Sequence, residues 1–489
     1  MDKSPRVSLG CDARGQEVAP LAAMLNRHGL VAGATGTGKT VTLQVLAEGL
    51  SRLGVPVFSA DIKGDLSGLA ERGKTSPRLT ERLAATGITD HTFESFPVAF
   101  WDLFGTQGTP VRITISEMGP LVLARLLQLN DTQTGVLYAA FKIADDEGLL
   151  LLDLDDLRSL LAWVGTHAAE LKLTYGNLSA TSIGAIQRTL LVLDAQGAGE
   201  VFGEPALSIH DLIATTADGR GVINLLDATQ LVTRSPDLYA CFLFWLLSEL
   251  FEELPERGDA DRPVLVLFFD EAHLLFRDTP KPLVDKIEQV VRLIRSKGVG
   301  VFFVTQSPLD LPPAVLGQLG LKIQHALRAF TPGEQKAVRV VAESFRANPT
   351  LDTASIITLL GTGEALVSTL DANGQPTPVE RVLIRPPAAQ IGPASAARRQ
   401  EILETSALQE RYATPINRES AHEKLTARAR ARIPAEPSLE TPPSVPRAPG
   451  RTPEGIGVTL VKSVLRAAGS QLGRQIVRGI LGSLLGGRR

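Results

Sequence analysis

Gly33-Ala34-Thr35-Gly36-Thr37-Gly38-Lys39-Thr40 decides how the rest of this chain is read. It spells G-x-x-x-x-G-K-[ST], follows the apolar run Leu30-Val31-Ala32, and opens a helical pattern from Val41 to Leu50. A strand, a glycine-rich turn and a helix start in that order suit a phosphate-binding loop. The glycines let backbone N–H groups close around phosphate oxygens, and the helix N-terminus adds a favourable dipole. Lys39 is the candidate for the β- and γ-phosphates, and the Thr40 hydroxyl is the candidate Mg²⁺ ligand. The plainer reading is a glycine-rich turn that happens to hold Lys-Thr. The flanking strand and helix patterns favour nucleotide binding over Gly33 to Val41.

Working outward, 489 residues with 44% apolar content suit a large α/β domain or two to three smaller ones. A net charge of −3 gives no global attraction to nucleic acid, so any such contact must be local. Cys11 and Cys241 match no metal or redox spacing and fit a reducing compartment. The polar start from Met1 to Gln16 does not read as a signal peptide, and no apolar run is long enough to span a bilayer. A cytoplasmic protein with no transmembrane segment is expected.

Strands and helices alternate in the first part, which predicts a mainly parallel sheet covered on both faces. Strands are expected at Val55 to Ala60, Pro97 to Leu103 and Val111 to Ile115, and again at Gly221 to Leu226, Pro263 to Phe269, Val299 to Thr305, Lys322 to Leu327 and Ala365 to Leu370. An apolar helix, Leu238 to Leu254, lies among the later ones. The expected organisation is a first core part over 1–119, a helical insertion over 120–212 and a second core part over 213–385. A helical and Pro-rich linker over 386–454 and a basic amphipathic segment over 455–489 complete it. That last segment carries Lys462, Arg466, Arg474, Arg478, Arg488 and Arg489 and no acid. It reads first as an oligomer-stabilising helix, with a nucleic-acid contact and a membrane-surface contact as the alternatives.

Val264-Leu265-Val266-Leu267-Phe268-Phe269-Asp270-Glu271 is an apolar run without alternation that ends in two acids. Such a strand is buried on both faces, and ligands of open α/β sheets bind at the carboxyl ends of strands. Asp270 is the candidate to hold Mg²⁺, and Glu271 the candidate general base that activates water. A carboxylate beside the metal favours ATP hydrolysis over phosphoryl transfer to a small molecule. Asp270-Glu271-Ala272-His273 also spells the box of one helicase class, but those proteins carry two tandem cores and no second core follows here. The strand from Val299 ends in Thr305-Gln306, where Gln306 would sense the γ-phosphate or position water. Upstream, a helix over Asp285 to Lys297 carries Arg295 at the flank of its apolar face, a candidate finger acting on a neighbouring subunit's nucleotide. Solvated strand ends and helix faces are the plain alternatives for both.

These pieces in this order resemble the HerA/FtsK superfamily of hexameric ATPases, especially its bacterial YjgR-like (HerA-like helicase) branch. The resemblance is carried by His28 to Thr40, Ala60-Asp61-Ile62-Lys63-Gly64-Asp65-Leu66, Phe269 to His273, and Arg295-Ser296-Lys297-Gly298-Val299-Gly300-Val301 leading to Thr305-Gln306. It covers residues 6 to 385 and the tail more loosely. It implies a RecA-like P-loop core, with Lys39 and Thr40 on nucleotide and Mg²⁺, and Asp270 and Glu271 as the hydrolytic acids. It further implies Gln306 as sensor, Arg295 as the leading finger with Arg328 as a lesser candidate, and a homo-oligomeric, hexameric ring. The N-terminal β-barrel of archaeal HerA and the winged-helix module of FtsK-type translocases have no counterpart in this sequence. DNA is thus a possible partner by analogy, and a nuclease or other protein is another. A ring-forming DNA translocase or helicase is the leading expectation. An ATP-dependent switch or assembly factor that remodels a protein partner is the alternative.

Overall fold

A strand that is apolar on both sides must be covered on both sides, and the middle of this molecule is built that way. The computed structural model describes residues 4–258 and 260–431. The strands are β1 (Gly10–Asp12), β2 (Glu17–Val18), β3 (Gly29–Ala32), β4 (Val57–Asp61), β5 (Val98–Asp102), β6 (Thr109–Pro110), β7 (Ile223–Asp227), β8 (Leu265–Phe269), β9 (Val299–Thr305), β10 (Leu321–Gln324), β11 (Glu364–Ser368) and β12 (Glu380–Ile384). They form one sheet in the order β2-β1-β12-β11-β10-β3-β9-β8-β4-β7-β5-β6. From β10 to β6 every pairing is parallel, and β11, β12, β1 and β2 extend the β10 edge in antiparallel fashion.

The phenylalanines of β8 and β9 show how the two faces divide. Phe268 and Phe302 meet edge to face at 5.5 Å on one side, and Phe269 and Phe303 at 6.2 Å on the other. The first pair packs with Leu43, Leu46 and Leu50 of α1 (Lys39–Arg52), while α2 (Pro77–Thr86) follows β4. The second face carries α3 (Ile115–Leu126), α4 (Asp131–Glu147), α5 (Leu154–Thr166), α6 (Ala168–Tyr175) and α7 (Ala180–Ala195), all between β6 and β7. After the short α8 (Leu231–Arg234), α9 (Pro236–Glu253) buries every residue from Leu238 to Leu247, as a helix apolar all round must. α10 (Lys281–Ile294) packs on α9 through Ile287, Val290, Val291 and Ile294. The short α11 (Pro313–Leu316) follows β9.

Three expectations change. Val111 to Ile115 is not a strand: β6 stops at Pro110, Ile113 makes a single bridge to Phe202, and Thr114 caps α3. The Thr114 hydroxyl accepts from the Glu117 amide at 3.2 Å and the Glu117 carboxylate accepts from the Thr114 amide at 3.0 Å, so the local capping box overrides β propensity. Second, β10 ends at Gln324 rather than continuing to Leu327. Beyond it, α12 (Pro332–Glu343) and α13 (Thr353–Leu359) form a satellite core with Leu366 and Val379.

The third change concerns residues from 386 onward, expected as a linker. α14 (Ala396–Glu404), α15 (Ala407–Tyr412) and α16 (Ala421–Ala431) pack on the core. Tyr412 is fully buried edge-on against Trp101, its carbonyl accepts from Arg112 at 2.8 Å, and its hydroxyl donates to Asp211 at 2.6 Å. Arg399 pairs with Asp227 at 3.1 Å with both side chains largely buried. The Pro-rich stretch and the basic segment over 455–489 lie outside the described residues. No helix among the described residues is long and apolar enough to cross a membrane.

Candidate functional site

Because β10, β3, β9, β8, β4 and β7 run parallel, their carboxyl ends share one edge. That edge carries Gly33 to Lys39 after β3, Gln306 after β9, Asp270 and Glu271 after β8, Lys63 after β4, and His325 and Arg328 after β10. β9 lies between the loop strand and the acid-tipped strand, so Gln306 sits between the two motifs.

The loop is tied to its neighbours through the main chain. Gly33 donates to the Thr305 carbonyl at 3.3 Å, Ala34 to Ala326 at 2.8 Å, and Gly363 to Thr37 at 2.9 Å. The Thr37 hydroxyl closes the loop onto the Ala34 carbonyl at 2.7 Å. Gly38, with φ +114°, occupies a conformation that other residues rarely adopt, and a Cβ there would reach the Gly363 amide at 3.0 Å. His325 braces the start of α1: one ring nitrogen meets the Thr42 hydroxyl at 2.9 Å and the other meets the Glu364 carbonyl at 2.9 Å. Burial first, with Lys39 adding to it, pushes its pKa down to about 4, so the ring is neutral and structural.

Lys39 is buried and donates to the carbonyls of Gly33 and Ala34, the latter at 3.2 Å. Burial and then Lys63 lower its pKa, while Asp270 and Glu271 act to raise it. Asp270 is pushed up to about 6, by burial above all and then by Glu271, against the pull of its hydrogen bond from the Glu271 amide and of Lys63 and Lys39. These mutual effects place Lys39, Lys63, Asp270 and Glu271 in one electrostatic group. Tyr239 of α9 fixes the strand end by donating to the Asp270 carbonyl at 2.6 Å.

Glu271 adopts φ 45° and ψ 47°, a left-handed backbone that costs a non-glycine residue about 1–3 kcal/mol. Its Oε2 atom is buried without a hydrogen-bond partner and lies 3.3 Å from Nδ1 of His273. His273, Gln306, Arg277, Arg328 and Glu334 line a cleft of about 720 Å³ that reaches the loop at Ala34. A second cavity of about 270 Å³ is lined by Gly36, Gly38, Lys39, Thr40, Val41 and Lys63. Thr35 and Gly36 are exposed at the loop tip.

The fold brings together Gly33 to Val41, Asp270, Glu271 and Gln306. It does not bring Arg295 to them: that residue is exposed just before β9, whose seven residues put it about 20 Å from the edge where Gln306 lies. Arg328 and Arg277 reach the cleft instead. Lys63 was legible only within the stretch that carried the resemblance, and Arg277 only as a cation shortly after the acid pair. His325 had no sequence signal, since its partners lie on α1 and at the start of β11.

The oxygen donors of Thr40 and Asp270 suit Mg²⁺, which takes few protein ligands and completes its shell with phosphate and water. No cluster of three or more His, Cys, Asp or Glu among the described residues offers a cage for another metal. The unsatisfied Glu271 oxygen beside this group is the kind of atom a bound water would meet.

The family model for the HerA-like C-terminal region of helicases matches residues 7–489. The chain belongs to the HerA-like family. "Probable helicase MJECL08" of Methanocaldococcus jannaschii is 33% identical over 125 residues, a match spanning 25% of this HerA-like chain and 22% of that protein. Among solved structures, the plasmid coupling protein TrwB in complex with the non-hydrolysable GTP analogue GDPNP aligns with TM-score 0.53 at 16% identity, over 81% of this chain and 92% of that one. TrwB in complex with ADP and Mg²⁺ aligns with TM-score 0.51 at 16% identity, over 80% and 92%. The HerA-like chain thus has the RecA-like P-loop ATPase fold.

Proposed function

We propose that this HerA-like protein is an ATP-hydrolysing motor that works as a homo-oligomeric ring and moves along DNA. The observation that carries the hydrolytic part is the Asp270-Glu271 strand end, one strand removed from the Gly33–Thr40 loop and electrostatically joined to Lys39. Backbone amides of Thr35, Gly36, Thr37 and Gly38 would line the phosphate path, the Gly33 and Ala34 amides being taken by Thr305 and Ala326, and Lys39 would neutralise the transferred phosphoryl group. Mg²⁺, held through Thr40 and Asp270, would draw charge from the phosphate oxygens. Glu271 would accept a proton from the attacking water, and Gln306 would hold that water in line.

Arg295, on the far edge of its own subunit, could act only on a neighbour's nucleotide. Arg328 and Arg277 already face the cleft of their own chain. DNA as the track is supported by membership of the HerA-like family and by its helicase-named relative.

ATP turnover measured with and without single- and double-stranded DNA, for wild type and Glu271→Gln, tests the reading. DNA-stimulated turnover that falls steeply with salt is expected of the motor. Turnover indifferent to DNA would instead favour an ATP-dependent switch acting on a protein partner.

A further inference from the structure

Residues 386–395 cross α1, the helix that starts at the phosphate loop, and side chains of α1 and of the turn after β4 fix their path. Both carboxylate oxygens of buried Glu48 accept backbone N–H groups, from Ala388 at 2.8 Å and Ala389 at 2.9 Å. Gln44, one turn nearer the loop, donates to the Gln390 carbonyl at 2.8 Å. Beyond it, the Ser67 hydroxyl accepts from the Ala394 amide at 2.9 Å and Glu71 accepts from the Ser395 amide at 2.7 Å. Gly68 is required for this passage, because a Cβ there would fall 2.1 Å from the Gly392 carbonyl oxygen.

These anchors hold Ile391 and Gly392 in the lining of the 270 Å³ cavity, which they share with Gly36, Gly38, Thr40 and Val41 of the loop and helix start. Ile391 is 56% exposed, although main-chain or side-chain hydrogen bonds hold the strap on either side of it. A branched apolar side chain gains nothing from a phosphate or a metal ion. It gains by covering the face of a flat heterocycle or the carbon side of a ribose.

We infer that the strap at Gln390–Gly392 is the nucleoside subsite of this chain, with Ile391 packing on the base and ribose of a purine nucleotide. The inference rests on the reading of Gly33–Thr40 as the phosphate loop and adds to it the part of the ligand that the loop does not touch. The contact is apolar, so binding follows ring area and a purine is held more tightly than a pyrimidine. Since the strap is tied to α1 through Glu48 and Gln44, the loop and the subsite keep a constant separation.

Equilibrium binding of ATP, CTP and inorganic tripolyphosphate to the full chain, for wild type, Ile391→Ala and Ile391→Met, tests this. Ile391→Ala is expected to weaken ATP about tenfold while leaving tripolyphosphate unchanged, and Ile391→Met is expected to bind ATP like wild type. Wild type is expected to prefer ATP over CTP. Unchanged ATP binding in Ile391→Ala overturns the inference, and so does an equal loss for ATP and tripolyphosphate, which would mean that the strap acts only by shaping the loop. A wild-type chain that binds neither ligand would sink the phosphate-loop reading itself, a result distinct from either of these.

Discussion

Glu271 combines three things that seldom coincide: a left-handed backbone, a buried carboxylate oxygen without a hydrogen bond, and a place beside Lys39 and Asp270. Strain of this kind persists where surrounding structure over-determines it, and here Tyr239 and the buried β8 supply that support. Replacing Glu271 by Gln keeps the shape and removes the base. ATP hydrolysis should then fall by about 10²–10⁴-fold, with ATP affinity retained, as read from turnover and binding on the same sample. Lys39→Ala should lower turnover too, but unlike Glu271→Gln it should also weaken ATP binding, by at least about tenfold in a direct titration. Wild-type turnover in Glu271→Gln would remove Glu271 as the base. At this scale much was legible. The loop and the two acids are contiguous words whose chemistry requires those residue types side by side. His325 and Lys63 were harder, because each matters through partners from other elements, α1 among them.

At the scale of elements, the strap over α1 shows the limit of local reading. Pro386-Pro387 and the Ala/Arg/Glu-rich stretch from Ala394 have the composition of a tail, yet Glu48 anchors Ala388 and Ala389 to the core and Asp227 holds Arg399 beyond them. Burial, resisted by the two amides and by Arg52 and Arg385, pushes the Glu48 pKa up to about 7 from an ordinary 4.5. A carboxylate raised on folding binds its proton more tightly in the native state. Its contribution is therefore greatest below the ordinary pKa and is lost as pH rises through 7. Denaturant titrations at pH 4.5 and pH 7.5 should show wild type losing stability relative to Glu48→Gln by something on the order of 3 kcal/mol. A pH-independent difference would mean that Glu48 is charged throughout. Glu48→Ala should expose the strap to proteolysis near Ile391, because two buried amides lose their acceptor. Elsewhere, the strands buried on both faces were legible from their unbroken apolar runs. β12, with Glu380 and Arg381 in its first half, was not: its second half pairs with both β1 and β11, but those two residues pair with β11 alone, and a one-sided stretch tolerates charge.

For the whole molecule, the placement of Arg295 is the sharpest constraint. A cation about 20 Å from its own subunit's Gln306 serves that subunit's ATP in no arrangement of this fold. If it serves a neighbour's, Arg295→Ala alone should hydrolyse ATP poorly, and mixing it with Glu271→Gln subunits should restore part of the activity at interfaces that pair the intact halves. No recovery on mixing, with Arg328→Ala inactive in the same assay, would move the finger to the cleft of the same chain. Ring formation is checked by measuring mass in solution with and without ATP and Mg²⁺, and assembly beyond the monomer is expected.

By itself, the sequence determined the pieces of the candidate site: a glycine-rich loop between a strand and a helix, an acid-tipped buried strand and a polar strand end, each spelled by neighbours within a few residues. Local spacing suffices there because a turn, a helix start and a strand end are local structures. Only the tertiary structure decided what surrounds them. The antiparallel edge, the pairing of His325 with Thr42, and the strap that brings Ala388 to Glu48 across 340 positions all depend on contacts that no short window contains. Those contacts form because buried amides and carboxylates must find partners wherever the chain offers them, and the fold alone sets which are within reach.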